Sequence, residues 1–414
     1  VSLAPASGWE KSGFDDSSWE NAKAYGNMGM SPWGNVALKF RRADGIQNSP
    51  MLRKEFNVNK NIRRARAYFT GLGMFEMKIN GVHPDDSVMN PANTQYEIAV
   101  NYRVFDVTDL LSKGANAVSV ELGNGFYHEL RHPNQYWTGD PVCMGQIIID
   151  YTDGTTETVV TDASWKATAD GPMTFNDIFL GENYDARLEK DGWEKVGYDD
   201  SSWKNAVKGK TPGKNGKNSE LRFENMEPMR RIKTFKDVTV TKHSSGSVIV
   251  ELPVITTGWA KITFKNQSAG SRIHMLYGES LYTSGEKEGH VKPVSHWEDG
   301  FVFQEYYYTC KGGESETYEP KFCYAGYKYI EIEGLNGEFS ADDIECYLIA
   351  NDVEETFTFE TDNELVNTLH EIFVRTLINN FQGKPTDCPT WEKLGWTGDY
   401  DAVVKSINYN YNIN

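Results

Sequence analysis

GQIIIDYTDGTTETVVTD, residues 145–162, sets two runs rich in β-branched residues on either side of Asp153-Gly154. Asp-Gly between such runs is a strong hairpin signal, because the turn needs a residue that tolerates positive φ. The same style extends in both directions. ARAYFTGLGMFEMKINGVHP (65–84) and NAVSVELGNGFY (116–127) break at Gly or Asn-Gly, and GSVIVELPV (246–254), WAKITFKN (259–266), SRIHMLYGE (271–279), FQEYYYTCKGG (303–313) and GYKYIEIEG (326–334) continue it. Short apolar runs at this spacing predict β-sandwiches over residues 1–355.

The chain has 414 residues, which at roughly 150 residues per domain suggests two to four domains. Its formal charge of −17 repels phosphate backbones and anionic membranes, so nucleic acid is excluded as a partner. No apolar run approaches the ~18 residues that a membrane span needs, so no membrane insertion is expected. The chain starts at Val1 with no basic segment followed by an apolar one, which fits a signal peptide already removed or an internal start. Secreted or periplasmic location is the expectation.

Aromatic residues are 13% of the chain, including 11 Trp and 22 Tyr. Rings of this kind stack on sugar faces, but most are expected to fill sandwich cores. Five cysteines without CxxC spacing read as single buried thiols and do not form a metal cluster. His128 and His132 stand four apart beside Pro133, in a loop context that makes zinc a poor reading.

GWEKSGFDDSSWENA (8–22) recurs as GWEKVGYDDSSWKNA (192–206), identical at 12 of 15 positions. The offset exceeds any solenoid period, so it reads as one local device used twice: an Asp-Asp-Ser-Ser turn anchored by a Trp on each side. It resembles the FDDSSW segment of jelly-roll domains attached to glycoside hydrolases. The Lys-, Gly- and Asn-rich stretch KGKTPGKNGKNSE (208–220) is the best linker candidate.

Near residue 360 the period changes. TDNELVNTLHEIFVRTLINNF (361–381) places Leu365, Leu369, Ile372, Phe373, Thr376 and Leu377 on one face, and Thr361 three residues before Glu364 suggests a capping box. A helix is predicted over roughly 362–380, closed by Gly383 and Pro385. DYDAVVKSINYNYNIN (399–414) looks like the first turns of a second helix. Between the two lies DCPTWEKLGWTGD (387–399), with Asp387, Glu392 and Asp399 beside Trp391 and Trp396. Acids in a loop after a helix are usually only solvated. Crowded carboxylates beside Trp rings, however, are a way to keep one carboxyl protonated beside another that is ionised, which glycosidic cleavage needs.

PTDCPTWEKLGWTGD (385–399) closely resembles the PTDCPQR(D/E)ERLGWTGD signature of bacterial α-L-rhamnosidases of glycoside hydrolase family 78. The resemblance extends through MLRKEFNV (51–58), VFDVTDLL (104–111), FLGENYDARLEKDGW (179–193) and GGESETYEPKFCYAGYKYIEIEG (312–334). It implies a mainly β multidomain chain: residues 1–45 as a partial β segment with the first FDDSSW copy, 46–215 and 216–355 as tandem β-sandwiches, and 356–414 as the beginning of an (α/α)6 catalytic barrel. It further implies an inverting enzyme that releases terminal α-L-rhamnose from oligosaccharides or rhamnosylated glycosides.

Within the resemblance Glu392 is the general acid, Asp387 and Asp399 hold sugar hydroxyls and tune that acid, and Trp396, with Trp391 beside it, lines the substrate pocket. The general base is implied to lie later in the barrel, beyond Asn414. No cofactor is required and no metal ligand is identified; structural Ca²⁺ is compatible with the residues without being indicated by them. The segment departs from the signature where Thr390-Trp391 replaces Gln-Arg, removing a guanidinium, and where Lys393 replaces Arg. YAGYKY (324–329) and LPVITTGW (252–259) also differ from the family's usual forms. A carbohydrate-binding protein, or a homologue of changed specificity, is the alternative to an active rhamnosidase. Cys388 as a nucleophile needs a base at hand, and the nearest His in sequence is His370, so a packed thiol is expected there.

Overall fold

The computed structural model describes residues 48–128, 139–214, 217–294 and 302–413. The chain divides into compact units Val1–Gly45 and Ile46–Asn414, and all described residues belong to the second. The first FDDSSW copy, the segment 1–45 and His132 lie outside the described residues.

Two five-stranded sheets form the first sandwich. One runs Lys204–Asn205, Lys166–Thr168, Met51–Val58, Gly114–Gly123, Met74–Ile79; the other runs Glu220–Phe223, Ala99–Asp106, Ile62–Leu72, Val142–Tyr151, Thr156–Val160. Alternate residues of each strand face inward, as the pleat dictates. Ala65, Ala67, Phe69, Phe105, Ile147 and Ile149 from one sheet thus meet Phe75, Met77, Ile79, Val118 and Val120 from the other in one core. Phe69 packs on Trp165 at 6.4 Å between ring centres, and Phe75 on Phe105 edge-on at 6.3 Å. The hairpin predicted at Asp153-Gly154 forms. Tyr151 N–H donates to Thr155 O at 2.9 Å, so the loop is three residues long, with Gly154 at φ 83°.

The second FDDSSW copy has a structural task. Arg53, almost wholly buried, donates to the Asp200 carboxylate, to Glu55 Oε1 at 2.6 Å, and to the carbonyls of Trp193 and Lys195, each at 2.9 Å. Ser201 N–H donates to Asp199 Oδ1 at 3.1 Å, and the rings of Trp193 and Trp203 stand 5.9 Å apart. The turn and its two Trp anchors therefore close over a buried guanidinium.

A ten-stranded sheet makes the second β region. Its main path is Met229–Phe235, Ile344–Asn351, Val248–Lys265, Ala325–Glu333, Arg272–Gly278, Glu305–Thr309, Gly181–Asp185, Met173–Asp177. The 18-residue strand Val248–Lys265 pairs with Thr239–Lys242 and Ala325–Glu333 along its first half, and with Ile344–Asn351 and Ser315–Tyr318 along its second. Its register shifts between Glu251 and Thr256, where Pro253 has no N–H for a ladder. Trp259, Tyr277, Tyr306, Tyr308 and Tyr327 are fully buried here, and among the described residues most of the aromatic side chains are core.

Strand pairing laces the two β regions together. Gly181–Asp185 runs parallel to Glu305–Thr309, while Glu220–Phe223 runs parallel to Ala99–Asp106 in the first sandwich. The linker candidate 208–220 consequently connects Lys204–Asn205 and Glu220–Phe223, edge strands of the two sheets of that one sandwich, and does not bridge two sandwiches. The buried Glu182 carboxylate accepts from Phe322 N–H at 2.6 Å and from Tyr318 O–H at 2.9 Å.

Helix α1 spans Glu364–Ile378 and helix α2 Thr397–Asn410. Asn363, rather than Thr361, caps α1: its Oδ1 accepts from Leu365 N–H at 3.0 Å and Val366 N–H at 3.4 Å. Thr361 is drawn away by Asn367 Oδ1, which accepts from both its N–H and its hydroxyl. Glu364 is thus the first helical residue, too early for a capping box. Of the predicted apolar face, Leu377 is buried at 5% exposure, while Leu365 is 67% and Leu369 58% exposed.

Candidate active site

The loop between the helices is built on the second β region. Thr257 Oγ1 donates to Asn379 O at 2.8 Å, and Asn379 Nδ2 donates to Ile255 O at 3.2 Å, so the register shift of the long strand receives the end of α1. Gly383 N–H then donates to Asn351 Oδ1 at 2.7 Å, and Gln382 Nε2 to Ile349 O at 3.1 Å. The chain enters the loop already fixed to a core strand.

Asp387 closes the loop on itself. Its N–H donates to Leu394 O and its Oδ1 accepts from Leu394 N–H, both at 2.9 Å. Its Oδ2 accepts from the Cys388 thiol at 3.0 Å, and that sulfur accepts from Glu392 N–H at 3.3 Å. Burial pushes the Cys388 thiol up, away from a thiolate nucleophile. His370 is engaged elsewhere, with Nε2 3.1 Å from Asn410 Oδ1, so Cys388 acts as a packed thiol inside the loop.

Glu392 is half-buried, and its Oε2 accepts from the Trp396 indole N–H at 2.5 Å. Trp396 is 51% exposed and Trp391, the residue before Glu392, 42%, so both indoles are partly accessible to solvent. Asp399 is exposed in the first turn of α2, where a negative charge suits the helix N-terminus. The fold therefore brings Asp387, Glu392 and Trp396 into one bonded loop and leaves Asp399 on the following helix. Thr390 is 4% exposed and packs with Pro389 over Gly326; a Cβ on Gly326 would meet Thr390 Cγ2 at 2.6 Å and Pro389 Cγ at 2.8 Å.

Two lysines at the loop take half-buried or buried places that the sequence reading did not assign them. Lys384 Nζ donates to Asn93 Oδ1 at 3.0 Å and lies 4.5 Å from the centre of the Phe126 ring; burial brings it down to about 8, partly opposed by Asp387. Lys393 is completely buried, with Nζ donating to Ile178 O at 2.7 Å and Tyr324 O at 2.5 Å. A loop lysine ordinarily reads as solvated; Lys393 stands where the signature has Arg, but nothing in the sequence marks either lysine as buried. Among the described residues no group of three or more His, Cys, Asp or Glu is placed to hold a metal ion, and no helix is long and apolar enough to cross a membrane.

Comparison with known proteins gives a consistent family assignment. Residues 60–233 match the α-L-rhamnosidase N-terminal domain, 241–350 the bacterial α-L-rhamnosidase concanavalin-like domain, and 354–414 the bacterial α-L-rhamnosidase six-hairpin glycosidase domain. An α-L-rhamnosidase of Formosa agariphila is 32% identical, over 98% of this chain and 45% of its own length. The structure of α-L-rhamnosidase from Dictyoglumus thermophilum superposes with a TM-score of 0.80 at 34% identity, covering 88% of this chain and 39% of that one. That of the Streptomyces avermitilis α-L-rhamnosidase complexed with L-rhamnose superposes at 0.80 and 30% identity, covering 99% and 38%. The chain thus spans less than half the length of these relatives. Three domains matched in order, at this similarity across nearly all its residues, mean that the chain belongs to the bacterial α-L-rhamnosidase family.

Proposed function

We propose that the protein to which this chain belongs releases terminal α-L-rhamnose from glycans or glycosides, with Glu392 as general acid. The supporting observation is the environment of that carboxylate: it rides on a loop closed by Asp387 and Leu394 and accepts from the indole of the half-exposed Trp396. Aromatic faces bind the apolar side of a sugar while the acid donates to the glycosidic oxygen.

In this reading the reaction inverts configuration. A second carboxylate, roughly 6.5–9.5 Å from the acid, activates a water on the opposite face of the sugar. We assign it to a part of the barrel later than Asn414. Asp387 keeps lone pairs for a sugar hydroxyl after accepting from Leu394 and Cys388, and Asp399 supplies a further acceptor. The open apolar face of α1 suits a helix that packs against others in a bundle or barrel. Export to the periplasm or medium belongs to the same proposal and rests on the substrate class.

The test is Glu392→Gln in the intact protein, assayed on aryl α-L-rhamnosides beside a panel of other aryl glycosides. Loss of hydrolysis with an unchanged melting curve is expected; rhamnose release at the parental rate would remove Glu392 from the acid role. Activity on another sugar alone would keep the reaction class and change the substrate.

A further inference from the structure

The cluster at Lys393 combines three unfavourable choices in one residue. Its φ is +54°, a region that non-glycine residues seldom enter. Its side chain is wholly buried, where an ammonium is expensive to desolvate. It also stands directly after the proposed acid. Gly or Asn would suit the backbone and an apolar side chain would suit the burial, so neither requirement explains a lysine. The ammonium does. It is received by the carbonyls of Ile178 at 2.7 Å and Tyr324 at 2.5 Å, and it lies 4.2 Å from the centre of the Tyr324 ring and 5.8 Å from that of Phe179. These partners come from two separate segments of the second β region: Ile178 and Phe179 from the turn after Met173–Asp177, and Tyr324 from the residue before Ala325–Glu333. Strain of this kind persists where the surroundings over-determine it.

We propose that Lys393 is a positioning residue, a peg by which the β region fixes the Glu392 carboxylate against the sugar site. The role rests on the acid assignment above, but the peg itself is a property of the loop and is measured without substrate. Lys393 anchors one side of the loop in the second β region, and Lys384 ties its entry to Asn93 of the first sandwich. Between them the Asp387–Leu394 pair and the Cys388 sulfur leave Glu392 little freedom. The β domains thereby set the geometry of the acid.

The experiment is Lys393→Met, with Lys393→Arg as the conservative variant, in the intact protein. Backbone amide exchange is followed over 385–399, and turnover is measured on an aryl rhamnoside. For Lys393→Met, exchange over 387–394 is expected to rise at least about tenfold with other segments unchanged, and kcat to fall about 10²-fold with KM within about threefold, as for a misplaced catalytic group. Lys393→Arg is expected to recover most of both. Unchanged exchange over 387–394 in folded Lys393→Met overturns the peg. If Lys393→Met does not fold, Lys393→Gly decides, since glycine takes the positive φ without strain and still removes the ammonium: raised exchange confined to 387–394 supports the peg, and parental exchange and kcat overturn it. A parental protein with no rhamnoside turnover defeats the functional reading, while the exchange arm still decides the peg.

Discussion

The indole N–H of Trp396 donates to Glu392 Oε2 at 2.5 Å, four residues back along the chain. In the proposed reading one ring serves two purposes: its N–H orients the acid, and its exposed surface is available to a sugar. Trp396→Phe keeps an aromatic face and removes the donor. As Glu392 gives up its proton in the transition state its carboxyl becomes charged; a hydrogen bond to a charged group is worth about 1.5–3 kcal/mol, and partial exposure favours the lower end, so kcat/KM on an aryl rhamnoside should fall about tenfold. Trp396→Ala should lose the face as well and raise KM, which steady-state kinetics on the two variants would separate.

Arg53 ties Met51–Val58 to the second FDDSSW turn through Asp200, Glu55 and two carbonyls. Arg53→Ala leaves buried acceptors unpaired, and breaking such a buried network costs about 3–5 kcal/mol. Urea denaturation followed by tryptophan fluorescence should show a loss of that size, and a change below about 1 kcal/mol would mean the turn holds without its guanidinium.

Glu76 sits in a cleft with Lys78, His83, Glu121, Glu194 and Lys321, and burial raises its carboxyl to about 7. Lys321, Lys78 and Arg231 oppose that rise, and Glu121 adds to it. The folded state therefore holds a proton that the unfolded state releases near its ordinary value of 4.5. Stability from this group is complete below 4.5 and is lost as pH rises through 7. Glu76→Gln should gain on the parent protein between pH 5 and 8 by up to about 3 kcal/mol, read from paired denaturation curves. A constant difference across that range would place the carboxyl in an ordinary environment.

Lys384 shows the opposite sign. Burial lowers its ammonium to about 8, so between that pH and its ordinary 10.5 the unfolded chain binds more protons than the folded one. Stability from this group rises with pH across that window. Lys384→Met should therefore exceed the parent at pH 7 by at most about 3 kcal/mol, less the lost bond to Asn93, and the advantage should shrink toward pH 10. Denaturation at pH 7 and 9.5 checks it; an advantage that grows with pH would reverse the assignment.

The sequence by itself determined the repeating β pattern, the hairpin at Asp153-Gly154, the switch to helix after residue 360, and the loop that carries Glu392. Each is a local signal: a period, a turn dipeptide, or a motif whose residues are neighbours in the chain. The cap of α1 was misplaced because Thr361 and Asn363 compete for it, and the contest is settled by Asn367, six residues from Thr361. Residues 173–185 were unreadable as part of the second sheet because their pairing with Glu305–Thr309 spans more than a hundred residues and leaves no trace in periodicity.

Lys384 and Lys393 show the same limit at the site. In the sequence they are two lysines in a loop, one of them at the signature's Arg position, with nothing local to mark either as buried. Only the tertiary structure decides that one meets Asn93 and Phe126, and the other the carbonyls of Ile178 and Tyr324. The physical reason is that burying a charge is determined by partners distant in the chain, whereas strands, turns and helix faces are determined by neighbours.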